Sequence, residues 1–263
     1  MTARQPSLFI PHGDGPCFFM PDPANHWGGM AAFLRSLPTR LSEVPTAILV
    51  VSAHWETDGF RLTADEKPLL VYDYYGFPPE TYALRYDAPG APIVAAQAAA
   101  LLREHGIAVE LDKDRGFDHG VFVPLKVAFP DAVIPVVELS VERSLDPALH
   151  LAAGRALAPL RDMGVLVIGS GMSFHDLKGF GNARSTGPSQ AFDDWLTSVV
   201  TLPGDLRAHQ LVSWAAAPGA AASHPTAEHL VPLMVAAGAS NGPGQKIYGE
   251  LVLETAVSGF VFN

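Results

Sequence analysis

Two histidines lie at the ends of apolar segments of the sequence. His12 closes the segment SLFIPHG, and His54 closes the run TAILVVSAHW. We interpret both segments as buried strands, so that two imidazoles on adjacent strand ends would converge on one point. Neutral imidazole binds iron, zinc, copper and nickel. We therefore hypothesise that His12 and His54 bind one metal. The ring nitrogen that does not bind the metal would need a hydrogen-bond partner, which Asp14 or Glu56 could supply.

The segment SHPTAEHLVPL carries further candidate ligands: His224, Glu228 and His229. Glu228 and His229 are adjacent, so on a helix their side chains point about 100° apart and only one of them reaches a given metal easily. Pro225 suits a first helical turn, whereas Pro232 would break or kink a helix that begins there. The alternative interpretation is an exposed helix start without a function.

Two other histidines have polar neighbours. His119 lies between Asp118 and Gly120, at a turn before an apolar helix. Either His119 faces a pocket, or Asp118 simply caps the helix. His175 follows the apolar segment VLVIGSG by a few residues, which places it near the same edge of the predicted sheet. A nucleophilic serine is disfavoured there, because the pattern Gly-x-Ser-x-Gly is absent.

Apolar strands alternate with helices along the chain. Helices are predicted in the segments PANHWGGMAAFLRSLP, PIVAAQAAALLREHG, DPALHLAAGRALAPLRDMG and SQAFDDWLTSVVTL, and the final YGELVLETAVSGFVF predicts an antiparallel hairpin. The alternation predicts an α/β fold with a central, mostly parallel or mixed sheet flanked by helices on both faces. No linker, repeat or charge block divides the chain, so we predict one domain over residues 1–263.

Composition excludes several classes of function. The 17 Lys and Arg against 27 Asp and Glu give a net charge of −10, and no basic cluster suggests binding to nucleic acid or to an anionic membrane. The one cysteine, Cys17, excludes a disulfide framework and a cysteine-rich zinc site. The sequence shows neither the apolar stretch of a signal peptide nor a run of roughly 18 apolar residues. We therefore expect a cytoplasmic protein.

Seven motifs occur in an order that is typical of one enzyme family. They are FIPHGDGP, VVSAHWE, YGFPPETYALRYDAPGAP, GFDHGVFVPL, PVVELSV, GSGMSFHDL and HPTAEHLVPLMVAAGA. Each motif alone is weak, but the ordered set is specific. Together they resemble the class III extradiol ring-cleaving dioxygenases of the LigB-like superfamily, and specifically the 4,5-DOPA dioxygenase type. The resemblance covers nearly the whole chain, so the predicted domain is a catalytic one.

The resemblance implies a role for each of five histidines. The metal ligands would be His12, His54 and His229. His175 matches the acid/base histidine of the family and could lie near or on the metal in a resting or zinc form. His119 matches a histidine that contacts substrate or oxygen. Other members of the superfamily complete the site with a carboxylate, so Glu228 remains the alternative third ligand.

The resemblance also implies a reaction and its partners. The family holds a non-haem metal, Fe(II) when active, and zinc fits the same imidazole site. The implied activity cleaves the ring of a catechol, DOPA-like or another catecholic acid, with O2 to a muconic semialdehyde. Arg85 or Arg115 could bind a substrate carboxylate. Four aromatic residues could line the pocket: Phe18, Trp55, Tyr72 and Phe174.

Two alternative functions remain open at this point. One is a zinc-dependent hydrolase with the same three metal ligands, in which His175 or Glu228 activates a metal-bound water. The other is a non-enzymatic, Memo-like binding protein, which would not need His119 and His175 near a metal. We expect a monomer or a homodimer, the latter formed through the C-terminal hairpin if its edge is exposed.

Overall fold

Eight strands form one mixed sheet in the computed structural model, which describes residues 3–263. The strands are β1 (Ser7–Pro11), β2 (Ala47–Thr57), β3 (Phe60–Thr63), β4 (Val109–Asp112), β5 (Val136–Glu142), β6 (Val165–Gly171), β7 (Gly244–Val252) and β8 (Thr255–Phe262). Their order across the sheet is β4-β3-β5-β2-β6-β1-β8-β7.

The four central strands β5, β2, β6 and β1 are parallel, antiparallel pairs join them to the outer strands on both sides, and the edge strand β4 is parallel to β3. Strand β2 pairs in parallel with β5 and β6, and β6 pairs in parallel with β1. Strand β3 runs antiparallel to β5, and the predicted C-terminal hairpin is confirmed as β7 and β8, with β8 antiparallel to β1. Strand β5 begins at Val136, directly after Pro135, because proline has no N–H group to donate to a sheet.

Helices cover both faces of the sheet, as the alternation of elements predicts. They are α1 (Gly28–Ser36), α2 (Pro92–Glu104), α3 (His119–Ala128), α4 (Pro147–Leu157), α5 (Pro159–Asp162), α6 (Thr186–Val200), α7 (Gly204–Val212), α8 (Ala220–Ser223) and α9 (Val231–Gly238). None of the helices within residues 3–263 is both long and apolar enough to cross a membrane.

Successive side chains of the strands enter two separate cores. Phe9 of β1 packs into the core that α4 and α9 close, whereas Leu8 and Ile10 pack into the core that α1 and α3 close. Successive strand residues point to opposite faces, so continuous apolar strands such as β1 and β2 require cover on both sides. The central strands are thereby fixed in position, together with the residues that follow them.

Candidate metal centre

His12 and His54 are carried by parallel strands on either side of β6. His12 follows the last residue of β1, whose Pro11 pairs with Gly171 of β6. His54 lies inside β2, past Ser52, which pairs with Ser170. The expectation of adjacent strand ends was wrong, because β6 lies between the two strands. The side chains still meet, because β2 extends past the end of β6, and the pairing of β2 with β5 shifts register between Val51 and Glu56.

The rings of His12 and His54 face each other through their Nε2 atoms, which are 3.2 Å apart. The Nδ1 atom of His12 lies 2.9 Å from the backbone carbonyl of Gly13 and donates to it, since a carbonyl can only accept. In a neutral ring, Nε2 of His12 then carries the lone pair. The partners expected from the sequence, Asp14 and Glu56, are not used, and the carboxylate found near Nδ1 of His54 is Asp73, at 3.8 Å.

His229 reaches the same point from the loop between α8 and α9. Its carbonyl accepts a hydrogen bond from the N–H of Met172, directly after β6, at 3.0 Å. Gly171 permits this approach, because a Cβ atom there would lie 2.1 Å from the carbonyl oxygen of His229. The alternative of an exposed helix start was wrong: His229 is 4% exposed, and the helix begins only at Val231, with Pro232 in its first turn.

Three imidazoles thus form a group that could hold a metal. One ligand atom each from His12, His54 and His229 lies within 4.8 Å of the others. The Nε2 atom of His229 is buried and has no hydrogen-bond partner among the described residues. A buried polar atom without a partner is costly, and a cation at this point would satisfy it. The donor set fits a divalent transition metal such as iron or zinc.

Burial keeps these three imidazoles neutral. It lowers the pKa of His12 and of His54 well below the usual range, and the neighbouring histidines lower both further. Burial also lowers the pKa of His229 to about 4, although a hydrogen bond to Glu228 partly offsets this shift. A metal binds the neutral form of imidazole, so these histidines need to release no proton at neutral pH.

Glu228 lies behind His229 and joins it to His175. One carboxylate oxygen, Oε1, is 2.9 Å from Nδ1 of His229 and 3.3 Å from Nδ1 of His175. The two imidazole rings stack with their centroids 3.3 Å apart. Although burial alone would raise the pKa of Glu228, hydrogen bonds from His175, His229 and Thr226 lower it. These three groups could also hold a cation, but the geometry favours a carboxylate that orients two rings.

His119 is the first residue of α3 and is held by Asp73. The carboxylate oxygen Oδ1 of Asp73 accepts from the backbone N–H of His119 at 3.0 Å and from its Nδ1 at 2.8 Å. The ring centroid of His119 is 3.8 Å from that of His54 and 5.5 Å from that of His12. His119 therefore faces the histidine group. The sequence did not predict a role for Asp73, because this residue lies in a Tyr- and Pro-rich loop.

Asp118 does not cap α3 through its side chain, contrary to the alternative considered from the sequence. Its buried carboxylate accepts from Ser52 at 2.7 Å and from Arg115 at 2.8 Å. The backbone N–H of Asp118 donates to the carboxyl of Glu138 at 3.1 Å. Burial raises the pKa of Glu138 well above its usual range, and Asp118 raises it further. A polar cluster thus lies beneath the histidines.

Close packing of α3 against the strands fixes the position of His54. A Cβ atom on Gly120 would lie 2.6 Å from Oγ of Ser52 and 3.0 Å from Cδ2 of His54. Pro124 inside α3 has no N–H, which leaves the carbonyl of Gly120 without its helical donor. The hydroxyl of Ser170 in β6 donates to that carbonyl. The helix start is therefore tied to the sheet at the point where the histidines meet.

His224 is buried elsewhere and does not join the group. Its Nε2 donates to the carbonyl of Ser173 at 3.0 Å, and its ring packs against Phe192 and Trp214. His150 is a structural residue: its Nδ1 donates to the carbonyl of Asp146 at 2.7 Å, and its Nε2 accepts from the backbone N–H of Glu142 at 3.1 Å. Neither histidine belongs to the groups that could hold a metal.

A cavity of about 110 Å³ opens beside His175. Its wall consists of Gly13, Asp14, Trp27, Met172, His175, Leu177, Phe180 and Leu253. The aromatic residues on this wall are Trp27 and Phe180, and none of the four predicted from the sequence lines it. Trp55 and Phe174 are buried in the interior, and the hydroxyl of Tyr72 donates to the carbonyl of Leu84 at 2.6 Å.

The sequence of this chain is similar to those of known proteins. The family model described as the catalytic LigB subunit of aromatic ring-opening dioxygenase matches residues 7–259. The chain belongs to the LigB family. A 4,5-DOPA dioxygenase extradiol of Beta vulgaris is 41% identical over 84% of this chain and 82% of its own length. The protein of the same description from Escherichia coli K12 is 37% identical over 92% of this chain and 87% of its own.

Other relatives of this LigB-family protein agree in sequence and in fold. Dioxygenase tasH of Hapsidospora irregularis is 40% identical over 90% of this chain and 78% of its own length. The crystal structure of an uncharacterized protein of Escherichia coli K12 superposes with a TM-score of 0.80 and 32% identity, covering 99% of this chain and 100% of its own. The predicted fold class is confirmed.

The family identifies this protein as an extradiol, aromatic ring-opening dioxygenase. The alternative of a non-enzymatic, Memo-like binding protein is therefore not retained. Dioxygenases of this family depend on a metal, and the group of His12, His54 and His229 could bind one.

Proposed function

We propose that this protein is a non-haem, Fe(II)-dependent extradiol dioxygenase that opens the ring of a catechol with O2 to a muconic semialdehyde. One observation carries the proposal: the imidazoles of the buried His12 and His229 and of the partly exposed His54 direct ring nitrogens at one point, and Nε2 of His229 has no partner there among the described residues. This group lies beside the cavity of about 110 Å³ that His175 lines, because the ring of His175 stacks on that of His229.

We assign the metal to His12, His54 and His229. Hydrogen bonds from the Nδ1 atoms of His12 and His229 to oxygen acceptors leave their Nε2 atoms as the metal-binding atoms. Fe(II) bound there would act as a Lewis acid and template for the two catechol oxygens and for O2. Zinc fits the same nitrogen ligands, so a purified protein could hold either metal.

We assign the acid/base role to His175. The carboxylate of Glu228 lies 3.3 Å from Nδ1 of His175 and therefore favours a proton on that atom. In the neutral ring, Nε2 is then the atom that accepts a proton from a catechol hydroxyl. Because the ring of His175 stacks on that of His229 with centroids 3.3 Å apart, a catechol bound at the histidine group would lie within its reach, and the same nitrogen could return the proton later in the reaction.

We assign to His119 a contact with the substrate or with oxygen. Asp73 holds both the backbone N–H and Nδ1 of His119, so the ring cannot turn without losing a charge-assisted hydrogen bond. The ring stays directed at the histidine group. Asp73 thus acts as a positioning residue for His119.

The names of the relatives support a catechol as substrate. Proteins from Beta vulgaris and Escherichia coli that are 41% and 37% identical to this chain are described as 4,5-DOPA dioxygenases. DOPA or a related catechol is accordingly the substrate class that we propose. A homodimer or monomer and a cytoplasmic location stay predictions.

Oxygen uptake by protein reconstituted anaerobically with Fe(II) tests this function. We expect uptake with at least one member of a catechol panel that includes L-DOPA, together with a new yellow product. The zinc-loaded protein should consume no oxygen. His175→Ala should lose turnover, whereas His209→Ala, which changes an exposed histidine of α7, should retain it.

Two outcomes would contradict the proposal. Absence of uptake with every catechol, from protein shown to contain bound Fe(II), would remove the catechol assignment for that panel. Equal turnover by His175→Ala and the wild type would leave the metal assignment intact but remove the acid/base role of His175.

A further inference from the structure

The cavity beside His175 carries a negative charge and no positive one. Its ionisable wall residues are Asp14 and His175, and none of the lysines and arginines in residues 3–263 lines it. Asp14 is exposed, and backbone contacts to Cys17 hold its position: the Cys17 N–H donates to the carbonyl of Asp14 at 3.1 Å. The Asp14 carboxylate forms no ion pair within the described residues, so it is free to meet a ligand.

Other carboxylates surround the same histidine group. Asp73 contacts His119, and Glu228 contacts His175 and His229. Glu56 lies in β2, two residues after His54. A catechol whose side chain carries a negative charge would therefore be repelled by these carboxylates.

The arginines that could offset this charge are already paired. Arg115, a candidate from the sequence, donates to Asp118 and lies over the ring of Trp55. Arg85, the other candidate, is exposed and pairs with its neighbour Asp87 at 3.0 Å. The expectation that one of them binds a substrate carboxylate therefore finds no support in their contacts.

The backbone N–H of Arg143 donates to the carbonyl of Thr57 at the end of β2, and its side chain pairs with Asp58 at 3.4 Å. Its side chain is 60% exposed and does not line the cavity. Within residues 3–263, no lysine or arginine therefore lines the cavity to hold a carboxylate.

We propose that this protein prefers catechols whose side chain carries an ammonium group over catechols whose side chain carries a carboxylate, and that Asp14 sets this preference. The inference rests on the proposed function, because the ring diol must lie at the histidine group for the side chain to reach the cavity. An ammonium group there pairs with Asp14, whereas a carboxylate meets only like charge. A neutral side chain falls between the two.

Three catechols of similar size test the preference: dopamine, 4-ethylcatechol and 3,4-dihydroxyphenylacetate. We expect kcat/KM to decrease in that order for the wild type. Asp14→Asn should lower the preference for dopamine over 4-ethylcatechol by about twofold to fivefold, the range of one exposed ion pair. Asp14→Lys should reverse the order, so that kcat/KM is higher for 3,4-dihydroxyphenylacetate than for dopamine.

Binding without turnover gives a second readout. Dissociation constants of the three compounds, measured calorimetrically with the zinc-loaded protein, should follow the same order and the same change in both variants. Asp131→Asn is the matched control, because it removes the same charge from an exposed residue beyond the far end of α3. It should leave the order and the ratios unchanged.

The outcomes separate this inference from the proposed function. A wild type that binds and cleaves the carboxylate better than dopamine, or an Asp14→Asn variant with unaltered ratios, would overturn the role of Asp14 while ring cleavage stands. Binding in the predicted order without cleavage by the Fe(II) protein would support the preference and overturn the proposed function.

Discussion

Nδ1 of His119 lies 2.8 Å from a carboxylate oxygen of Asp73, and the same oxygen accepts the backbone N–H of His119. Two hydrogen bonds to one charged group fix both the start of α3 and the orientation of the ring. Burial alone would raise the pKa of Asp73, but the hydrogen bonds from His119 lower it. The carboxylate is therefore charged when it holds the imidazole.

Substitution of Asp73 should impair turnover through His119. We expect Asp73→Ala to lower kcat/KM by about 10- to 100-fold, the usual effect of removing a partner that orients a functional histidine. Asp73→Asn should recover part of this loss, because its amide oxygen can still accept from Nδ1. Steady-state kinetics and metal content would be measured together; equal losses in both variants would indicate that the acceptor oxygen is unimportant.

The assignment of metal ligands predicts a division among the histidine variants. Replacing His12, His54 or His229 with Ala should lower the bound metal to a small fraction of one per chain, since each removes one of three ligands. His175→Ala should keep its metal and lose turnover. Elemental analysis after dialysis distinguishes the two classes. Loss of metal from His175→Ala would instead make His175 a fourth ligand.

Glu228→Gln tests whether the carboxylate itself binds the metal. We expect the variant to retain metal with an affinity about 10- to 100-fold weaker, because Glu228 orients His229 and lies behind it. Competition with a chelator measures that affinity. If Glu228 were the third ligand in place of His229, the metal would be lost from Glu228→Gln and kept by His229→Ala.

The approach of the His229 loop to β6 depends on Gly171. A Cβ atom there would lie 2.1 Å from a backbone oxygen, which cannot move as a side chain can. We expect Gly171→Ala to lower the free energy of unfolding by about 1–3 kcal/mol or more and to weaken metal binding. Gly187→Ala in α6 is the control, because nothing lies within 4 Å of its Cβ position. Urea unfolding should show no loss of stability for that variant.

The stability of the metal-free protein should fall as the pH is lowered. Burial lowers the pKa of His224 to about 3, so below about pH 6.5 the unfolded chain binds a proton that the folded protein does not. The stability that His224 contributes is present above pH 6.5 and is lost towards pH 3. His224→Gln should reduce the slope of stability against pH by about 1.4 kcal/mol per unit. Urea unfolding at pH 7, 6 and 5 measures it, and equal slopes would contradict the prediction.

Much of the sheet could be predicted because its strands are long and apolar. The segments of β1, β2 and β6 and the hairpin of β7 and β8 carry patterns that indicate strands directly. The order of the strands does not follow from such patterns, so β6 between β1 and β2 was not foreseen. Strand β3 was missed, because the four residues Phe60–Thr63 are too few to show a period.

Some residues of the candidate site could likewise be predicted from the sequence, and others could not. His12 and His54 were found because each closes an apolar run, a signal that local sequence carries. Asp73 gave no such signal, since a loop has no periodicity and its contact with His119 joins residues 46 positions apart. The partners of Arg115 likewise depend on tertiary packing, which turns an apparent substrate-binding residue into a structural one.

The polar cluster beneath the histidines also determines the electrical balance of the centre. Arg115 pairs with Asp118 there, and burial raises the pKa of Glu138, which favours its uncharged form. Three neutral imidazoles bring no charge to a divalent ion, but Asp73 and Glu228 each place one negative charge beside them. The two carboxylates together would balance a divalent ion, so the protein would supply the counter-charge through groups that hydrogen-bond to or lie beside the imidazoles rather than through the ligands themselves.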